Sequence, residues 1–133
     1  MFYLALEDQL FIGQTKQVGT GSEQHDHLSV IFEDDGETGY FYALDTRQAM
    51  PIVDSLHIYN ASAVSEKETA RKLQICWSQG GDFALLLIND YPHAAFDFVK
   101  LIAYNHSKYP EPEFGSLWSR KVIDDELVKH WLA

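Results

Sequence analysis

Apolar and polar residues alternate with a period of two along several short stretches of this chain. That is the spacing of a β-strand with one buried face. The clearest run is Lys72–Ser78, where Leu73, Ile75 and Trp77 alternate with Lys72, Gln74, Cys76 and Ser78. Gln79-Gly80-Gly81-Asp82 follows, and Gly-Gly accepts the positive φ of a tight hairpin turn. Phe83–Ile88 is apolar at every position, as in a central strand covered on both sides. Asn89-Asp90-Tyr91-Pro92 is a second turn signal, because Asn and Asp bond nearby backbone and Pro cannot enter a central ladder. The third run, His93–Val99, alternates again. These runs predict a three-stranded antiparallel meander.

A one-residue slip would move every side chain to the other face, so turn length decides the core. A turn on Gly80-Gly81 puts Leu73, Ile75 and Trp77 with Ala84, Leu86 and Ile88. A three-residue turn at Asn89–Tyr91 adds Ala94, Phe96 and Phe98 to that face, whereas a two-residue turn adds His93, Ala95 and Asp97. The first register makes one continuous apolar face. It leaves Cys76, His93 and Asp97 on the other face, near Phe83, Leu85 and Leu87.

Elsewhere, Phe2–Leu6 and Leu10–Ile12 read as a short hairpin around Glu7-Asp8-Gln9, with an N-terminal helix as the alternative. Gly13–Asp26 is polar and glycine-containing and reads as a mobile loop. Its Gly19-Thr20-Gly21-Ser22 lacks the Gly-Lys-Ser/Thr of a phosphate loop. Leu28–Glu33 and Tyr40–Leu44 flank an Asp-Gly turn and predict a hairpin. In Ile52–Asn60, Ile52, Asp54, Leu56 and Ile58 share one face of a strand. Ala61–Ala70 caps a single turn at most, and Leu101–Tyr109 is a short helix or an irregular return. Pro110-Glu111-Pro112 must be extended or turning, and Ser116–Lys121 is loop or short strand. Asp124–Leu132 has a helix pattern, with Asp124 as N-cap, Asp125 and Glu126 at the positive end, and Lys129 and His130 at the other. Its stripe of Leu127, Val128, Trp131 and Leu132 needs a sheet face to cover. The fold expected is α+β and mainly β: one twisted antiparallel sheet of five to seven strands built from hairpins, with the C-terminal helix packed on one face. Residues 1–133 are expected to form one domain.

Composition narrows the function classes. Hydrophobic content of 46% and aromatic content of 14% exclude disorder. The apolar runs are too short to span a membrane, and the opening MFYLALEDQL lacks the basic segment of a signal peptide. Cys76 is the only cysteine, which suits a cytoplasmic protein. Inside an apolar strand such a thiol behaves as a small hydrophobe. The net charge of −10 disfavours nucleic acid and anionic membranes as partners and is compatible with a basic protein partner.

GETGYFYALD, LHIYN, Trp77 and PHAAFDF, within Phe32–Phe98, resemble the recurrent segments of a small bacterial family of unknown function found mainly in proteobacteria. The segment following the Asp-Phe pair is arginine-rich in that family, whereas Val99–Tyr104 here is apolar. The resemblance implies a bacterial, cytoplasmic, single-domain protein and brings no activity with it.

Three constellations are candidates for chemistry or binding. His25-Asp26-His27 would place both imidazoles on one side of a strand, as a metal site requires, but no third ligand has diagnostic spacing. His57, His93 and Asp97 could supply a general base with its orienting carboxylate. His93 and Asp97 are roughly 13 Å apart along an extended strand, so a contact would have to run through His57. Tyr40, Tyr42 and Tyr59, with Trp77 or Trp118, could form an aromatic recognition surface or cross-strand packing within the sheet. No cofactor motif is present. The leading expectation is a non-enzymatic binding or protein-interaction domain, with an immunity-type inhibitor of a basic toxin as one version and a homodimer as its assembly. The alternatives are a small hydrolase or metal-dependent enzyme, and a small-molecule binding module with its ligand between sheet and helix.

Overall fold

The computed structural model describes residues 1–133. Ten strands and one helix follow in the order β1 (Phe2–Leu10), β2 (Lys16–Gly21), β3 (Leu28–Asp34), β4 (Thr38–Asp45), β5 (Ile52–Asn60), β6 (Arg71–Ser78), β7 (Phe83–Ile88), β8 (Tyr91–Asp97), β9 (Ile102–Asn105), β10 (Ser119–Val122) and α1 (Asp125–Leu132). The class is the expected one, mainly β with a C-terminal helix. The strands divide between two sheets instead of the single sheet of five to seven strands expected, one of six in the order β1-β6-β7-β8-β9-β10 and one of four in the order β2-β3-β4-β5. All pairings are antiparallel except β9 with β10, which is parallel.

Two sheets form because both hairpin systems have an apolar face to bury. Leu28, Val30 and Phe32 of β3, Phe41 and Ala43 of β4 and Leu56 of β5 meet Leu73, Ile75 and Trp77 of β6, Ala84, Leu86 and Ile88 of β7, and Ala94 and Phe96 of β8 in one buried cluster. The rings of Phe41 and Phe96 stack across the interface at 5.1 Å. At roughly 25 cal/mol per Å² of apolar surface removed from water, this layer is the main force holding the sheets together.

The meander takes the expected register. Leu73, Ile75 and Trp77 pair with Ile88, Leu86 and Ala84. The second turn has two residues, Asn89-Asp90, both at positive φ. A shift between Leu86 and Leu87 inserts the extra residue that still brings Ala94 and Phe96 to the core face. A bulge thus does what the longer turn was expected to do.

The opposite face of the six-stranded sheet carries Leu85, Leu87, Ala95 and Tyr104, and α1 closes it. Trp131 packs edge-on against Tyr104 at 5.3 Å and Phe83 at 5.7 Å. The Asp124 side chain accepts a hydrogen bond from the Leu127 amide at 2.8 Å, fixing the start of the helix. No helix is long and apolar enough to cross a membrane.

Three segments differ from the sequence reading. The N-terminal stretch is one long strand rather than a hairpin, because as an edge strand it can point Glu7 outward to Gln74 at 2.7 Å. Within Gly13–Asp26 lies β2, whose glycines weaken the strand pattern. A Cβ at Gly19 would sit 2.9 Å from the Val30 carbonyl oxygen and from Ile31 Cγ1, so the close approach of β2 to β3 needs glycine there. Leu101–Tyr109 contains β9, whereas Ser116–Lys121 leads into the short strand β10, one of the two forms expected of it.

Candidate functional site

Asp54 stands alone among apolar residues on the inner face of β5. It is buried, and its carboxylate takes a two-point hydrogen bond from Arg120 of β10, at 2.7 and 2.8 Å. The guanidinium also donates to the Pro110 and Ser55 carbonyls at 2.8 and 3.2 Å. Planar guanidinium and carboxylate groups match in shape, which is why arginine fills this position. Burial lifts the Asp54 carboxyl above its ordinary range, and the Arg120 contact opposes the shift without cancelling it. The pair links the four-stranded sheet to the six-stranded one and holds the loop after β9 against β5.

This pair forms the back of a cleft at one end of the two-sheet stack, with a volume of about 1070 Å³. Its walls are the turn before β3, the β4–β5 loop, the first residues of β5, the β8–β9 loop and the β9–β10 loop. Ties between these loops set its shape. Ser22 Oγ donates to the Gly81 carbonyl at 2.7 Å and accepts from the His25 amide. The Thr46 amide donates to the His27 carbonyl at 2.9 Å, and the Phe98 amide to the Asp82 carbonyl at 2.9 Å. The cleft is therefore held in shape by the chain's own hydrogen bonds.

Its lining is unusual for a protein surface. Met50, Ile52, Val99, Phe114 and Leu117 all border it and are all exposed, Phe114 completely and Leu117 to 82%. Phe98, Leu101 and Trp118 continue the apolar wall inward. Arg47 also borders the cleft and folds back on Asp45, with contacts of 2.9 and 3.1 Å. It holds the Asp45 carboxyl below the usual carboxylate range.

Of the histidines singled out in the sequence, His25 and His27 line this cleft, with ring centroids 5.8 Å apart. No group of three His, Cys, Asp or Glu side chains is gathered there or elsewhere in a way that could hold a metal ion. His57, His93 and Asp97 occupy three separate settings. His57 bonds Asn60 Oδ1 at 3.0 Å and packs edge-on against Tyr40 and Tyr109. His93 lies at the other end of β8 from Asp97, beside Tyr91 and His106. Burial, with His106 nearby, pushes its pKa down to about 4. Asp97 caps the next turn, accepting from the Val99 and Lys100 amides at 3.0 Å.

The aromatic set divides as well. Tyr40 and Tyr42 stack at 5.9 Å on the outer face of the four-stranded sheet, where Tyr42 donates to Glu33 at 3.0 Å. Burial, together with Glu33, raises the Tyr42 hydroxyl to about 12. Tyr59 turns inward because the register shifts between Gly39 and Tyr40. Its ring lies over Gly39 and its hydroxyl donates to buried Asp34 at 2.6 Å. Trp77 is fully buried, stacked on Phe98 at 6.0 Å. The continuous tyrosine–tryptophan surface considered from the sequence is therefore not formed. Cys76 is half-buried, and burial raises its thiol pKa, the reverse of what a nucleophile needs.

Comparison with known proteins places the chain. The family described as "uncharacterized protein conserved in bacteria", DUF2251, matches residues 10–132. The chain belongs to this family. A protein from Haemophilus influenzae described as uncharacterized is 57% identical over 134 residues, covering all of this chain and 83% of that protein. No solved structure matches. The match leaves out all but the last residue of β1 and takes in β2 to β10 and the helix, so the cleft of this DUF2251 protein is built wholly within the matched residues.

The sequence reading missed Met50, Phe114 and Leu117, and it placed Ile52 correctly in a strand without marking it as exposed. For the first three the signal was present: apolar residues in proline- and glycine-marked stretches, where no strand can bury them. Arg120 was missed too, although a lone carboxylate on an apolar strand face announces a buried partner.

Proposed function

We propose that this protein is a non-catalytic binding domain that receives a polypeptide partner in the cleft at the open end of its two-sheet stack. One observation carries the reading. Five large apolar side chains, on loops and a strand end from both sheets, stand exposed around a single preformed cleft. Folded proteins seldom leave such side chains gathered on one surface unless something covers them. An apolar centre with a polar surround is also the usual composition of a protein interface. An immunity-type inhibitor is one role that fits, and the acidic net charge supports it.

The hydrolytic alternative gains no support from the geometry, since its three residues are separated and two are committed to local hydrogen bonds. A ligand between sheet and helix gains none either, because α1 fills that layer with Trp131.

The neutral apolar dye Nile red tests the cleft directly. Binding should raise and blue-shift its emission with the native chain, and the double variant Phe114→Ser, Leu117→Ser should lose most of that signal. Both side chains are exposed, so the thermal midpoint should hold. Equal dye emission from the variant, with its midpoint unchanged, would overturn the reading.

A further inference from the structure

We infer that the cleft's partner is a cationic amphipathic polypeptide segment, one that lays apolar side chains on the Phe114–Leu117 face and lysine or arginine on its rim. The inference rests on the binding role proposed above and names the partner's chemistry.

The argument is a count of committed charges. Both arginines of the cleft are already engaged, Arg47 by Asp45 and Arg120 by Asp54. No lysine lines it. On the other side of the count stand Asp82, Glu111 and Glu113. The side chain of Asp82 receives only a 3.3 Å bond from Ser78, and those of Glu111 and Glu113 have no protein partner. The cleft thus offers an apolar floor and three carboxylates with no cation of their own, on a chain of net charge −10.

Each class of partner meets this surface differently. An anionic partner finds both arginines already paired and only the imidazoles of His25 and His27 beside them, against three carboxylates that repel it. An uncharged apolar partner would cover the floor and strip water from the carboxylates without replacing it, which is unfavourable. A second copy of the chain would bring the same carboxylates against themselves across a two-fold axis. A segment carrying both apolar and cationic side chains satisfies the floor and the rim together.

Three labelled peptides of equal length test this, with leucines at the same positions and lysine, serine or glutamate between them. Fluorescence anisotropy should show the lysine peptide binding about tenfold or more tighter than the serine peptide, in line with charge complementarity across an interface. Added salt should narrow that gap. Glu111→Gln, Glu113→Gln should narrow it too, and Phe114→Ser, Leu117→Ser should weaken the lysine peptide while leaving the fold intact. Equal binding of the serine and lysine peptides would overturn the inference. So would lysine-peptide binding that ignores the Phe114 and Leu117 changes, since that is attraction to an acidic surface in general. A dimer in sedimentation that dissociates on Phe114→Ser, Leu117→Ser would assign the cleft to a second copy and overturn it as well. If no peptide binds while Nile red still reports the cleft, the partner's chemistry falls and the binding role stands. If neither binds, both fall.

Discussion

Gly39 shows how tightly single residues are constrained in this fold. A Cβ there would lie 2.6 Å from the Tyr59 ring, which cannot retreat because its hydroxyl is held by Asp34. Gly39→Ala should therefore destabilise the protein by about 1–3 kcal/mol, the usual cost of forcing a group into packed space. Chemical denaturation measures it, and the Gly39→Ala, Tyr59→Leu double variant should recover part of the loss. His93 makes a prediction in pH. Its folded pKa of about 4 lies below the ordinary imidazole value, so the unfolded chain binds the proton more readily. Its contribution is therefore fully present above the unfolded value and is lost as pH falls from about 6.5 to about 4. His93→Gln should flatten that part of the stability–pH curve, measured by denaturation at a series of pH values. None of this could be read from the sequence. His93 is the residue that the β8 bulge leaves without a partner, its surroundings come from His106 and Tyr91, and the register shift that turns Tyr59 inward leaves no mark in the pattern.

The elements themselves were legible wherever their apolar pattern was strong. The β6–β7–β8 meander, the β3–β4 hairpin, β5 and α1 all follow from alternation, turn residues and capping. The edge strands β1 and β2 were obscured, and β10 was legible only as loop or short strand, for one shared reason. An edge strand faces water on more sides, so its residues can be polar or glycine and its period weakens. What joins the elements was legible only in part. The lone Asp54 on β5 signalled a partner, yet nothing nearby in sequence pointed to Arg120, 66 residues on. Removing one side of that buried pair should cost about 3–5 kcal/mol, because the other charge is left unpaired in a place water cannot reach. Asp54→Ala and Arg120→Ala should each show this loss in denaturant. A paired replacement by apolar residues, Asp54→Leu with Arg120→Met, should lose clearly less than the two single losses added.

At the scale of the whole molecule, the two sheets close one shared core, and the helix closes the outer face of the larger sheet. What is left open is the end where five loops meet, and the exposed apolar residues gather there. The cleft was the least legible feature because it belongs to no element. Met50 and Ile52 precede or begin β5, Val99 follows β8, and Phe114 and Leu117 precede β10; only the topology brings them together. The arrangement is that of a rigid frame holding an exposed apolar surface on its loops, the setting in which binding residues are commonly carried. The most direct test of this account is an amide chemical-shift map of the ¹⁵N-labelled protein titrated with the leucine–lysine peptide. The account predicts that the perturbed amides cluster at Met50–Ser55, Val99–Leu101 and Glu111–Trp118, with the outer tyrosine face around Tyr40 and Tyr42 unmoved. Perturbations centred on Tyr40 and Tyr42, or scattered over every acidic patch, would contradict it.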